Sequence, residues 1–240
     1  VLITNLAGAV WEIQGDAPFT YQDFGYTFTN RFHNAGTLRK TGGTGNTSFA
    51  SQVAFGSTGL IDVQTGTLSF AGDATQLRGT LNFGLTSPTV FGRVSVTSQA
   101  TIHAILSAAL VNASGLNSGD QFQVINRGSR LASSVVFAGR NLGSGLVYDP
   151  AWSADSLTLV LRAATHPTPP VTSLSYAPQL PAFVLMEGQA SLTYQLQAST
   201  DLSAWTSLQT NSAPAGVWEF SDPAAPSFAS RFYRGVQVGP

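Results

Sequence analysis

The sequence predicts an all-β protein: a right-handed parallel β-helix (solenoid) with an antiparallel cap, followed by a small fibronectin-like β-sandwich. Three observations support this prediction. Short stretches alternate apolar and polar residues, as half-buried strands do. A unit that contains glycine recurs through the first two thirds of the chain. Glycine then gives way to proline in the last third.

The recurring unit is a small or polar residue, a glycine, and then alternating apolar and polar residues. Glycine ahead of a strand indicates a tight corner. A repeat of 20 to 28 residues that contains several short strands is typical of solenoid coils, and about five coils would fit into residues 1 to 115. The spacings of 28, 23 and 20 residues separate Gly8, Gly36, Gly59 and Gly79.

Polar residues stand at matching places ahead of three of these glycines. They are Asn5, Asn34 and Ser57. Stacked asparagine side chains can form a hydrogen-bonded ladder along a solenoid. The sequence therefore predicts that these three side chains contact one another on successive coils.

A large antiparallel sandwich or barrel is the second possibility, because it would also contain many short strands. The β-helix is preferred, since unequal repeats suit coils whose corners accept insertions. We expect insertions at residues 14–30 and in a flexible glycine-rich loop at 41–48. The one stretch with helical composition, residues 102–111, is equally compatible with strands.

The balance of glycine and proline divides the chain. Residues 1–162 contain 20 of the 24 glycines, whereas the remaining residues contain nine of the twelve prolines. We predict a β-helix with its cap at 1–162, a proline-rich linker at 163–181 and the sandwich at 182–240. Its core candidates are Trp205, Trp218, Phe220, Phe232 and Tyr233.

Two segments of the chain resemble known bacterial proteins. Residues 32–45 and 62–70, together with the segments 119–125, 145–150 and 157–160, resemble the repeats and the closing section of autotransporter passengers. Residues 194–206, 220–222 and 231–234 resemble a C-terminal module of Verrucomicrobia-type surface proteins. The resemblance implies a secreted, extracellular or cell-surface bacterial protein with an antiparallel cap on its solenoid.

The composition disfavours several partners. Only 10% of the residues are charged, the net charge is −1, and Lys40 is the single lysine beside ten arginines, which is too little positive charge for nucleic acid. No apolar run is long enough to span a membrane. The chain has no cysteine, so a thiolate site is excluded. A weakly charged surface opposes association between copies very little.

Enzyme chemistry finds no support in the sequence, and we predict no catalytic residue, metal or cofactor. A polysaccharide-active β-helix would need paired carboxylates, for which the candidates are Asp16, Asp23, Asp62 and Asp73. We interpret these as turn residues. The histidines at 33, 103 and 166 lack the spacing of a zinc site.

The leading functional hypothesis is therefore a fibre or surface-layer subunit whose copies associate head to tail. The chain starts in strand register, which suggests a processed segment with an uncovered first coil, and we expect self-association through Val1, Leu2, Ile3 and Thr4. The alternative is an adhesin that binds glycans through a flat face of the solenoid or through exposed aromatic residues such as Tyr21, Phe24 and Tyr26. A polysaccharide-active enzyme is the third and weakest hypothesis.

Overall fold

The computed structural model describes residues 1–20, 30–72, 75–97, 100–111, 115–127, 132–143, 145–167, 170–212 and 215–239. These ranges are nearly all β-structure, and they contain no α-helix and one short 3₁₀ helix, Ala225–Ser227. The strands of the solenoid and its cap are β1 Leu2–Asn5, β2 Val10–Ile13, β3 Asn30–Asn34, β4 Thr37–Lys40, β5 Asn46–Phe49, β6 Val53–Ser57, β7 Leu60–Val63, β8 Gly66–Phe70, β9 Thr75–Ser87, β10 Val90–Val96, β11 Ala100–Leu110, β12 Gln121–Arg127, β13 Ala132–Ala138, β14 Asn141–Gly143, β15 Leu146–Trp152 and β16 Ser156–Ala163. The strands of the C-terminal module are β17 Val171–Ser175, β18 Ala182–Glu187, β19 Thr193–Ser199, β20 Thr206–Ser212, β21 Val217–Asp222 and β22 Phe232–Gly239.

Parallel pairing stacks the first strands into a three-faced solenoid, which confirms the predicted β-helix. The first face contains β1, β3, β6 and the beginnings of β9 and β11, with β13 last. The second face contains β2, β4, β7 and the later parts of β9 and β11. The third face contains β5, β8, β10 and β12, and Phe19 bridges to Phe49 at its start.

We number the coils along the stack. Coil 1 is β1 and β2 with Phe19, coil 2 is β3 to β5, coil 3 is β6 to β8, coil 4 is β9 and β10, and coil 5 is β11 and β12. Side chains that bond between successive coils are 29, 23, 20 and 25 residues apart. The glycine spacing therefore predicted the coil length well, because each corner glycine recurs once per coil.

The solenoid interior is filled by columns of stacked apolar side chains. On the second face Leu38, Ile61, Leu81 and Leu106 stand in register and are all buried. Phe32 and Phe55 form a second column, with ring centroids 5.6 Å apart. Burial of such side chains contributes about 2 kcal/mol each, so the stacking itself is the main source of stability.

An antiparallel cap closes the solenoid after coil 5, as predicted. Strand β12 pairs antiparallel with β16, which pairs with β15, and β15 pairs with β14. Residues 102–111, whose composition left helix and strand open, lie almost entirely in β11.

The C-terminal module consists of two three-stranded antiparallel sheets, β17–β18–β21 and β20–β19–β22. They share one core that includes Trp218, Phe220 and Tyr233. Two predicted core residues lie elsewhere, because Phe232 is 38% exposed and Trp205 packs under the Arg234 guanidinium instead.

The predicted linker is shorter than expected. Strand β17 lies inside the range 163–181 and pairs along its length with β18, so residues from 171 onward belong to the sandwich. The neighbouring prolines masked this strand in the sequence. It is an edge strand with mostly exposed or half-buried residues, and such strands accept flanking proline.

Candidate functional site

The first candidate site is the open end of the solenoid at coil 1, which we call the coil-1 end and define by β1, β2 and the residues that join them. Among the described residues, β1 pairs only with β3 and β2 only with β4. All four residues predicted for self-association, Val1, Leu2, Ile3 and Thr4, are exposed there.

The interior of the solenoid is accessible at the coil-1 end. Ile3 lies opposite buried Phe32, and Trp11 lies opposite buried Leu38, so both side chains occupy interior positions. Each is nevertheless 37% exposed. Leu6 at the corner is 67% exposed. Exposed apolar side chains at one end of a solenoid make that end a candidate interaction surface.

An aromatic stack holds coil 1 firmly on coil 2. The rings of Phe19 and Phe49 lie parallel with centroids 4.3 Å apart. The ring of Trp11 meets the ring of Phe32 edge to face at 5.4 Å. Offset and edge-on ring contacts each add about 1 kcal/mol beyond area burial, and therefore the coil-1 end is a defined surface. The sequence analysis missed Leu6 and Trp11, although both belong to the first repeat.

The opposite edge of the first face is covered by the sandwich. Backbone N–H groups at the end of β13 and just beyond it donate to side chains of the sandwich: Phe137 N donates to Ser175 Oγ (2.7 Å), Gly139 N to Glu219 Oε2 (2.6 Å) and Arg140 N to Glu219 Oε1 (3.3 Å). Burial raises the pKa of Glu219 even though these backbone donors oppose the shift. The sandwich thus occupies this edge of the solenoid.

Ion pairs join the sandwich to the cap. Asp149 receives hydrogen bonds from both Arg140 and Arg162. Arg162 also donates to Glu187 in the sandwich through Nη2 (2.5 Å) and Nη1 (2.8 Å), and Thr165 N donates to the same carboxylate (2.7 Å). Burial alone would raise the pKa of Glu187, but these donors lower it to about 2. The start of the predicted linker is therefore fixed in place.

The predicted asparagine ladder is present. Asn5 Nδ2 donates to Asn34 Oδ1 (2.8 Å), and Asn34 Nδ2 donates to Ser57 Oγ (3.0 Å). Each asparagine amide also donates to a backbone carbonyl at the corner of the next coil, Thr37 O and Leu60 O. All three side chains are buried, so the ladder satisfies polar groups inside the corner.

The candidate carboxylates of an enzyme do not form a site in the described residues. Asp16 binds the ammonium of Lys40, and Asp62 accepts from Arg39, Gln64 and Asn82. Asp23 and Asp73 lie outside the described residues, as do Tyr21, Phe24 and Tyr26 of the glycan-binding hypothesis. No group of three metal-binding side chains occurs in the ranges that the structure describes.

The single lysine is an internal structural residue that sequence reasoning did not identify. Its side chain is fully buried, and Nζ donates to Gly15 O, Asp16 Oδ1 and Gly42 O, each at 2.8 Å. The hydrogen bond from Lys40 lowers the pKa of Asp16. The predicted loop at 41–48 passes over this ion pair, where Gly45 N donates to Asp16 Oδ2, and its last residues belong to strand β5.

Comparisons with known proteins do not indicate a function, so a function can be inferred only from the geometry described above. No protein-family model, curated protein or solved structure matches the chain. In the part of the chain that the structure describes, no helix has the length and apolar character needed to cross a membrane.

Proposed function

We propose that the protein is a structural β-solenoid that associates with a second copy of itself through the coil-1 end. The observation that carries the proposal is the 37% exposure of Ile3 and Trp11, two side chains at interior positions of the solenoid. A second coil-1 end would cover both side chains with apolar surface. It would also bring a strand to the unpaired edge of β1.

The geometry favours a head-to-head contact over the head-to-tail contact expected from the sequence. In a head-to-tail contact, coil 1 would stack on the far end of the next copy, where Ser175 accepts from Phe137 N in β13 and Glu219 accepts from Gly139 N just beyond it. In a head-to-head contact, the same surface meets itself across a twofold axis, and the two β1 edges pair antiparallel. Strand β1 and the residues that join it to β2 carry no charged side chain.

The oligomeric state in solution tests the proposal. We expect the 240-residue chain to be a dimer in sedimentation velocity at micromolar concentration and to dissociate on dilution. Ile3→Lys places a charge on the open edge strand and should shift the equilibrium to monomer. Val90→Lys is the matched control, because Val90 is β-branched, 36% exposed and distant on the β9–β10 hairpin.

The Val90→Lys control shows whether a loss of the dimer is specific to the coil-1 end. Val90→Lys should remain dimeric, and both variants should keep the circular dichroism spectrum of the parent. A parent chain that is monomeric at every concentration overturns the proposal. A series of growing oligomers instead of a dimer would favour the head-to-tail arrangement and reject the twofold one.

An extracellular or bacterial cell-surface location belongs to the same proposal. It is supported by the resemblance to surface proteins and by the low charged fraction of 10%. Labelling of intact cells with an antibody against the folded chain tests it. Signal that appears only after the cells are permeabilised would reject it.

A further inference from the structure

A shallow depression crosses the first face of the solenoid over coils 2 to 4. Its floor is coil 3, where the outward positions are occupied by Ala54 and Gly56, which have almost no side chains. Coil 2 contributes Arg31 to one wall, and coil 4 contributes Gln76 and Arg78 to the other. The depression, which we call the groove, exists because the large side chains of Arg31 and Arg78 lie on either side of coil 3, whose outward residues are small.

The register places the two arginines at diagonal corners of this depression. Arg31 lies opposite Ala54, and Gln76 lies opposite Gly56, two positions further along the strand. Arg78 stands two positions beyond Gln76 on the same outward side. Neighbouring strands are about 4.8 Å apart, and coil 3 lies between the coils that carry the two arginines. The arginines are therefore two strand spacings apart across the face, and one extended ligand can contact both.

These two arginines differ from every other cation that the structure describes. Five basic side chains form ion pairs: Arg39, Lys40, Arg140, Arg162 and Arg231. Three more lie over aromatic rings: Arg93, Arg127 and Arg234.

Arg31 and Arg78 are the two described cations that have neither kind of partner. Both are exposed, and both line the same depression. In a protein with 10% charged residues, two guanidinium groups that line one depression have neither the carboxylate nor the aromatic ring that the other described arginines and Lys40 have.

Further polar groups complete the depression. His33 lines it beside Gly56, and His103 on coil 5 lies in register with Arg78. Gln76 and Thr58 add hydrogen-bonding groups. No carboxylate is among the described residues that line it. The groove therefore offers donors to an anion and no negative charge that would repel one.

We propose that this groove binds an acidic polysaccharide, with Arg31 and Arg78 each engaging an anionic group of the chain. Guanidinium groups bind planar carboxylates and sulfates through paired hydrogen bonds. A polysaccharide repeats its anions along a narrow, extended chain with hydroxyl groups between them. Two arginines at opposite corners, with Gln76 and Thr58 between them, match that pattern. Two guanidinium groups are too few for the phosphate density of a nucleic acid.

The proposal is independent of self-association, because the groove and the coil-1 end do not share a residue. Binding is measured by calorimetry with polygalacturonate, dextran sulfate and unmodified dextran. We expect the two acidic polymers to bind, with affinity that falls as salt rises, and dextran not to bind. Whichever acidic polymer binds more tightly identifies carboxylate or sulfate as the preferred anion.

Two kinds of variant test the residues. Arg31→Gln and Arg78→Gln should each weaken binding about tenfold, as expected for the loss of a charged hydrogen bond. The double variant Arg93→Gln/Arg234→Gln makes the same change in net charge as Arg31→Gln/Arg78→Gln, at sites outside the groove, and should bind like the parent.

Gly56→Leu tests the shape of the groove without a change in charge. A Cβ at Gly56 meets only the His33 ring, at 3.9 Å, so the chain should fold as before while the floor of the groove is filled and binding is lost. Equal weakening by the Arg93/Arg234 control would show non-specific attraction and overturn the proposal. So would tight binding of dextran, or equally tight competition by a single-stranded oligonucleotide.

Discussion

At the scale of single residues, Lys40 shows how the solenoid accepts one buried charge. The ammonium donates to two backbone carbonyls, Gly15 O and Gly42 O, in addition to Asp16 Oδ1 and Thr47 Oγ1. Burial of an ammonium is costly unless acceptors surround it. Here they do, because the glycine-rich run is narrow enough to pass directly over Asp16: a Cβ at Gly43 would lie 2.2 Å from Asp16 Oδ1.

Replacement of this lysine should destabilise the protein strongly. Lys40→Met keeps the volume but leaves Gly42 O without the ammonium donor and removes one of the donors of Gly15 O and of the Asp16 carboxylate. We expect a loss of roughly 3 kcal/mol in the free energy of unfolding. Urea denaturation measures it. Arg93→Met provides the comparison, since Arg93 forms no ion pair and should cost less than about 1 kcal/mol. Equal losses in the two variants would contradict the structural role.

At the scale of elements, the corner glycines explain how coils stack so closely. A Cβ at Gly59 would lie 2.1 Å from the carbonyl oxygen of Gly36, and one at Gly79 would lie 2.3 Å from Gly59 O. Leu60 N donates to Gly36 O across this contact at 2.9 Å. A side chain at the corner would therefore separate the backbones whose hydrogen bonds and asparagine ladder join one coil to the next.

Gly59→Ala tests this role of the corner. The new methyl group collides with backbone that cannot move without breaking the stack, and we expect a loss of about 3 kcal/mol or an insoluble product. Gly15→Ala is the matched control, because a Cβ there meets no atom within 4 Å and the backbone is not left-handed. Thermal melts of both variants should differ by more than about 5 °C. Similar melting temperatures would reject the explanation.

At the scale of the whole molecule, the sandwich acts as the end of the solenoid. It covers the end of β13 through Ser175, contacts the following residue through Glu219 and binds the cap through the Arg162–Glu187 pair. Uncovered strand edges invite further pairing. The sandwich removes one such edge, which is why the proposed association uses the coil-1 end.

The junction should make stability depend on pH. The pKa of Glu187 is about 2 in the folded protein, below its ordinary value near 4.5. The ionised carboxylate therefore stabilises the fold above pH 4.5, and this contribution is lost as the pH falls toward 2. We expect Glu187→Gln to cost roughly 2 kcal/mol at pH 7 and progressively less below pH 4.5.

The difference between parent and variant isolates Glu187 from the other acids. Glu219, whose pKa is raised, contributes with the opposite sign but equally in both proteins. Glu12→Gln serves as the control, because it makes the same substitution at an exposed carboxylate outside the junction. The free energy of unfolding of the parent and of Glu187→Gln is measured by urea denaturation from pH 7 to pH 2.5. A difference between them that does not change with pH would contradict the predicted linkage.

The sequence by itself determined the repetitive part of this protein. Strand alternation, the spacing of Gly36, Gly59 and Gly79, and the ladder of Asn5, Asn34 and Ser57 were all readable, because each depends on features that recur once per coil. A solenoid brings residues one period apart into contact, so its main contacts are encoded in the repeat itself.

Only the tertiary structure decided the features that fall outside the repeat. The burial of Lys40 depends on how residues 15–16 fold back over coil 2, and the groove depends on register that aligns Arg31 and Arg78 around two small residues. The cover on β13 depends on side chains from the sandwich, far along the chain. Such contacts join residues at irregular separations, and no local or periodic pattern in the sequence encodes them.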